Sequence, residues 1–261
     1  MDQSELTVYF YDIFDASLPR LGPGDDSSTQ KAIDLLRAAK PQRMNSPGSS
    51  GLRILDLGCG NGAQTIQLAK HLDGTIVAVD NHEQYLIELR RRAVAEGVSD
   101  KIRTCLSDMR DFTMGEGLFD LIWSEGAVFV MGFPDGLAAC RKLLVPGGLM
   151  AASELTWFRP DPPAECREYF AGVYPPMVDN AGNLATIEDC GYEVLEHFAL
   201  PESTWLESYY RPIEDRLRTL QNKYAADRAG SEVVDSILKE IDIYRKYSNW
   251  YGYVFYLMQS R

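Results

Sequence analysis

The stretch Ile54-Leu55-Asp56-Leu57-Gly58-Cys59-Gly60-Asn61-Gly62 decides the fold. A short run with buried-strand character ends in glycines at alternate positions, and a helical pattern over residues 63–71 begins at once. Glycine lets the backbone turn where a Cβ would clash, and the helix N-terminus beyond it offers free N–H groups to a ligand. Further strand patterns follow at 75–79 (ending at Asp80), 102–106, 119–123 and 149–153. Helical patterns at 83–96 and 135–144 separate some of them. Strands alternating with helices of this length predict an α/β fold with a parallel, doubly wound sheet.

The flanks read differently. Tyr9, Phe10, Tyr11 and Phe14 form an aromatic opening, a turn-rich run follows to Gly24, and residues 29–39 carry a helical apolar stripe. Residues 40–51, rich in Pro, Gly and Ser, read as a linker. From Leu155 onward lie 18 of the chain's 28 aromatic residues, so this third is expected to form a lid. It also holds two strand patterns, 191–200 and 252–259, with helices expected at 205–226 and 231–247. Three segments result: a helical cap and linker (1–51), a cofactor core (52–154), and remaining strands with an aromatic lid (155–261).

Composition narrows the function. The 261 residues are 45% apolar and 25% charged, which excludes wholesale disorder. Thirty-eight acids against 26 bases give a net charge of −12, unfavourable for a nucleic-acid partner, which needs a basic face. No run of 18 uncharged apolar residues predicts a membrane span. The first residues, with Asp2 and Glu5, lack the basic start of a signal peptide. Five scattered cysteines with no C-x-x-C pair suit reduced thiols, and a cytoplasmic location is expected.

The glycine pattern alone leaves the cofactor open. Gly58-x-Gly60-x-x-Ala63 satisfies the dinucleotide fingerprint, and Asp80, 22 residues after Gly58, stands where a ribose-binding acid belongs. Three features favour S-adenosylmethionine over NAD. Asp56 would repel a pyrophosphate but suits an ammonium or sulfonium group. Ser107-Asp108-Met109 follows the third strand, where an adenine amine would meet a carboxylate. No tyrosine has a lysine four residues on, so the usual short-chain dehydrogenase pair is absent.

Taken in order, Asp56-x-Gly58-x-Gly60-x-Gly62, Asp80, Asp108, Phe119-Asp120-Leu121-Ile122 and Leu144-Val145-Pro146-Gly147-Gly148 resemble the motifs of class I S-adenosylmethionine-dependent methyltransferases. The flanks Pro19-Arg20-Leu21-Gly22-Pro23-Gly24, Trp123-Ser124-Glu125-Gly126-Ala127 and Tyr251-Gly252-Tyr253-Val254-Phe255-Tyr256 are similar to a group of bacterial and archaeal small-molecule methyltransferases. The resemblance implies a Rossmann-like seven-stranded sheet, order 3-2-1-4-5-7-6 with strand 7 antiparallel, and helical cap insertions. It implies that Asp56, Gly58, Cys59, Gly60, Asn61 and Gly62 pass along the cofactor, that Asp80 binds its ribose hydroxyls, that Asn81 belongs to the cofactor site, and that Ser107, Asp108 and Met109 border its adenine. By the same resemblance Ser124, Glu125 and Gly126 face the methyl group, and Arg20 and Gly22 close over the cofactor.

Methyl transfer is an in-line displacement on an activated carbon, so a protein supplies alignment, exclusion of water and, for some acceptors, removal of a proton. Glu125 is the first choice of base. Tyr9, Tyr11, Trp157, Tyr174, Trp205, Tyr209 and Tyr251 are the expected pocket residues, because aromatic faces stabilise a sulfonium and exclude solvent. Ser124-Glu125-Gly126-Ala127 stands where enzymes methylating nucleobase or amide nitrogens carry Asn/Asp-Pro-Pro-Tyr, which points to a small-molecule acceptor. The chain has neither an evident magnesium-binding acid cluster nor convergent thiolates, so metal-independent transfer is expected. Two other classes stay open: an NAD(P)-linked oxidoreductase using the same loop, and a cofactor-binding regulator without turnover.

Overall fold

The computed structural model describes residues 3–45, 51–114 and 117–261. Its centre is β1 (Leu52–Leu57), whose run of buried residues suits a strand covered on both faces. Parallel to it lie β2 (Gly74–Asp80) and β4 (Phe119–Ser124), then β3 (Ile102–Leu106) beyond β2 and β5 (Leu144–Trp157) beyond β4. A two-residue strand, β6 (Val178–Asp179), pairs with the far end of β5. The sheet is completed by β7 (Tyr192–Ala199) and β8 (Tyr251–Ser260), giving the order β3-β2-β1-β4-β5-β8-β7. Leaving β6 aside, this is the expected seven-stranded order, with β8 as the antiparallel strand between β5 and β7.

The helices in chain order are α1 (Gln3–Ile13), α2 (Asp26–Ala39), α3 (Pro41–Asn45), α4 (Ala63–His71), α5 (Glu83–Ala95), α6 (Phe133–Leu143), α7 (Ala164–Val173), α8 (Asn180–Asp189), α9 (Glu202–Trp205), α10 (Arg211–Lys223) and α11 (Arg228–Tyr247). Asp25 caps α2 by accepting from Ser28 N, and the buried Ala32, Ile33 and Leu36 seal this helix with α4 and α5 on one sheet face. The other face is covered by Phe133, Leu137 and Cys140 of α6 and Ile187 of α8. A third core lies off the sheet, where Ile13 and Phe14 meet α7, α10, α11 and Tyr251. This is the aromatic lid. Between α9 and α10 the helix widens into a π turn at Leu206–Tyr210, just before Pro212, whose ring carries no N–H to continue the regular ladder. That turn carries Tyr209 and Tyr210 into the lid core.

Two sequence expectations are corrected. Part of the linker expected at 40–51 is helix α3, because Met44 is buried against the sheet core; residues 46–50 lie outside the described residues. The strand expected at 149–153 extends to Leu144–Trp157, since Leu144 pairs with Phe119 of β4 at one end and β8 pairs from Leu149↔Gln259 to Trp157↔Tyr251 toward the other. Among the described residues no helix is long and apolar enough to cross a membrane.

The turn into α4 depends on one glycine. Gly62 has φ 84°, and a Cβ there would sit 2.1 Å from Leu89 Cδ1 in the buried core. Gly62→Ala is therefore expected to lower stability by about 2–4 kcal/mol, from left-handed strain and overpacking together. A thermal unfolding midpoint equal to the parent's would refute this.

Candidate active site

The parallel strands end on one side of the sheet, where β1 turns through the glycine loop. Gly58 N and Cys59 N both donate to Val79 O at 2.9 Å, which fastens the loop to the end of β2. Asp80 completes the attachment: its Oδ2 accepts from Gly60 N and its Oδ1 from His82 N, each at 2.9 Å. Burial raises the Asp80 pKa above the ordinary carboxylate value, against these two bonds. Each oxygen keeps a lone pair, so Asp80 can still accept from a ligand hydroxyl.

Above the loop runs residues 14–24 as a strap. Tyr85 Oη donates to Phe14 O (2.6 Å), Asn61 Nδ2 to Leu18 O (2.6 Å), and Arg92 to the carbonyls of Leu18 and Pro19 (2.7 and 3.0 Å). At its end Arg20 Nη1 meets Glu125 Oε2 at 2.7 Å, with side chains only 8% and 6% exposed. The other Glu125 oxygen accepts from Thr29 Oγ1 and Trp123 Nε1, both at 2.8 Å. Glu125 is thus fixed by three hydrogen bonds, one of them from the strap.

Between sheet edge, strap and lid lies a cavity of about 1020 Å³. Of the residues expected to bind a cofactor, Arg20, Gly22, Gly58, Cys59, Gly60 and Asn61 line it. So do Asp80, Asn81, Ser107, Asp108, Met109, Glu125 and Gly126. Asp108 is held by Arg110 at 2.6 and 3.0 Å, which lowers its carboxyl to about 2. Asp56, Gly62 and Ser124 stand behind the wall instead. Asp56 is fully buried and accepts from Thr65 Oγ1 (2.6 Å) and Gln64 Nε2 (3.3 Å), while Ser124 Oγ donates to Leu57 O (2.9 Å). Both lie inside strands whose surroundings are packed core, so their side chains fix helix α4 and the loop.

Of the lid residues expected, Tyr11, Tyr174, Trp205, Tyr209 and Tyr251 line the cavity. Tyr9 and Trp157 do not. Tyr9 is turned toward Asp227 (2.7 Å) and the edge of Tyr224, and Trp157 packs edge-on against Phe170. Sequence reasoning missed Phe10, Phe14 and Tyr85 over the loop, and Tyr210, Tyr253 and Glu240 in the lid. One of these had a readable signal: Glu240 interrupts the otherwise apolar stripe Val233, Ile237 and Tyr244 of α11.

Residues 54–148 match the family model described as "Methyltransferase domain". Residues 54–148 thus carry a methyltransferase domain. Its whole fold, lid included, is similar to the X-ray structure of YjhP from E. coli, at TM-score 0.81 with 21% identity over 97% of this chain and 99% of that one. It is also similar to a SAM-dependent methyltransferase from Thiobacillus denitrificans in complex with S-adenosyl-L-homocysteine (TM-score 0.77, 20% identity, 96% and 98% covered). Among curated proteins, the sterol 24-C-methyltransferase erg-4 of Neurospora crassa is 24% identical over 181 residues, 66% of this chain and 47% of that protein. The chain thus spans about half the length of this curated relative. These relatives favour a methyltransferase domain over a nicotinamide-linked oxidoreductase.

Two buried acids behind the wall make stability depend on pH. Burial pushes Asp56 up to about 7, and Glu154, at the end of β5 with Oε2 unpartnered among the described residues, also up to about 7. A carboxyl whose pKa is raised on folding binds its proton more tightly in the folded state. Its stabilisation is full below the unfolded pKa near 4 and is lost as pH rises through about 7. Glu154→Gln, neutral at every pH, is expected to flatten this decline, with a relative gain of up to about 3 kcal/mol by pH 8. Denaturant unfolding from pH 5 to 8 checks it; parallel curves for parent and variant would contradict the assignment.

Proposed function

We propose that this chain is an S-adenosylmethionine-dependent methyltransferase acting on a small-molecule acceptor. The observation that carries the reading is the continuity of one cavity, about 1020 Å³, from the glycine loop to the aromatic lid. Small-molecule sites are commonly about 300–1,000 Å³, so this space suits cofactor and acceptor together. The residues present fit the cofactor. The loop glycines 58 and 60, with φ of 75° and 53°, put no side chain into the cradle beside Asp80. Asp80 would take the ribose hydroxyls, the backbone of Gly58 to Asn61 the methionine part, and Asn81 with Ser107 to Met109 the adenine.

S-adenosylmethionine, when bound, supplies a methyl group already activated on a sulfonium. The chain's own task is then alignment and dryness. Asp56 acts from behind, fixing Gln64 and Thr65 and so the start of α4. Glu125 serves as the clamp that holds Arg20 and the strap rather than as a base, because three hydrogen bonds, one of them from a guanidinium, fix its carboxylate in that position. Tyr253, whose hydroxyl lies 3.7 Å from where a Cβ on Gly126 would be, borders the space next to the cofactor loop. The acidic charge and the curated sterol methyltransferase relative both support a small acceptor over a nucleic acid. The cysteine pattern supports a cytoplasmic setting, with 52–154 as cofactor core and 1–51 and 155–261 as cap.

Calorimetric titration with S-adenosylhomocysteine tests the reading. Asp80→Asn is expected to weaken binding at least tenfold, about 1.4 kcal/mol, by removing a charged acceptor for the ribose. Undiminished affinity in the variant, or binding of NAD in preference by the parent, would overturn it.

A further inference from the structure

The lid holds a carboxylate that the cofactor does not use. Glu240 lies on α11 and faces the cavity among the rings of Tyr169, Tyr209, Tyr210 and Tyr251. Tyr210 Oη donates to its Oε1 at 3.0 Å, and no salt bridge to it is formed among the described residues. Burial raises its pKa, and its charge acts on the hydroxyls of Tyr209, Tyr210, Tyr251 and Tyr253. At the rim, exposed Lys239 sits over the Tyr169 ring (5.8 Å to its centroid) and exposed Glu168 carries the opposite charge, while Glu240 lies further in among the rings.

Two further groups on the same wall are unsatisfied. Tyr251 is 1% exposed and Trp205 4%, yet Tyr251 Oη and Trp205 Nε1 have no hydrogen-bond partner among the described residues. Both side chains line the cavity. A buried polar group without a partner is costly, so a wholly apolar acceptor would leave that cost in place. A carboxylate-bearing acceptor would meet repulsion from Glu240. A cation escapes the repulsion, since carboxylate and ring faces both attract it and the net charge of −12 draws it in. Trp205 Nε1, a donor only, still needs an acceptor atom elsewhere on the same molecule.

We infer that the lid compartment is an acceptor subsite for an organic amine, whose ammonium group sits on Glu240 within the Tyr169, Tyr209, Tyr210 and Tyr251 rings. This rests on the methyltransferase reading and gives its acceptor a chemical class. Trp205 Nε1 and Tyr251 Oη donate to an oxygen or nitrogen elsewhere on the same acceptor. The methyl-receiving atom is the one brought to the Tyr253–Gly126 side of the cavity.

The test is calorimetric titration of the full chain, saturated with S-adenosylhomocysteine, with three matched pairs: benzylamine and benzyl alcohol, phenethylamine and 2-phenylethanol, tryptamine and tryptophol. At pH 7.5 at least one amine is expected to bind tenfold or more tightly than its alcohol. Glu240→Gln, isosteric and still able to accept from Tyr210, is expected to bring that amine to the level of its alcohol. S-adenosylhomocysteine affinity is expected to stay unchanged in the variant. Equal binding within every pair, no binding by any amine, or an amine preference that survives Glu240→Gln would overturn the subsite. Failure of the parent chain to bind S-adenosylhomocysteine at all would instead overturn the methyltransferase reading, which keeps the two failures distinct.

Discussion

The site depends on the ion pair between Arg20 and Glu125. A guanidinium and a carboxylate, both nearly sealed from water, tie the strap to the end of β4 across a separation of 105 residues. Taking two charges out of water costs several kcal/mol per ion, so such a pair is tolerable only where its remaining hydrogen-bonding groups are also satisfied. Thr29 and Trp123 meet that condition on the carboxylate, and Thr29 with Asp26 on the guanidinium. With the strap held this way, the glycine loop is roofed, and the space at the sheet edge becomes an enclosure. Asn61, Tyr85 and Arg92 hold the strap carbonyls from below, so its backbone follows the loop that it covers.

The lid is built on a different principle. Its helices are joined to the sheet through β5 and β8, whose antiparallel pairing runs to Trp157↔Tyr251, and its interior is stacked aromatic surface. Trp205 lies against Tyr244 at 4.4 Å and against Tyr253 at 5.3 Å, nearly parallel to both. Aromatic packing of this kind excludes water while leaving polar edges for a ligand. The π turn before Pro212 turns Tyr209 and Tyr210 into that surface. A polar sheet edge and an aromatic roof therefore face each other across one cavity.

Much of this was legible in the sequence, for reasons that differ from element to element. The strands β1, β2 and β4 announce themselves because each is short, mostly apolar and closed by glycine or acid, and the glycine loop marks a cofactor site whose occupant the acids around it had to decide. The lengths of β5 and β8 depend on pairing with each other, which no local pattern encodes. Asp56 and Ser124 were expected at the cofactor because they adjoin its motif, yet both are turned into packed core. Glu125 looked like a base because its partner is distant in sequence. Glu240 was readable as an acid in an apolar helical stripe, but its meaning needed the rings that surround it.

The central claim is that strap and glycine loop form one cofactor enclosure. Amide hydrogen exchange with and without S-adenosylhomocysteine tests it most directly. The account expects added protection in residues 14–24 as well as in 57–62 and 80–85, with no comparable change in β7, far across the sheet. Protection confined to the glycine loop, with residues 14–24 exchanging as fast as before, would contradict it.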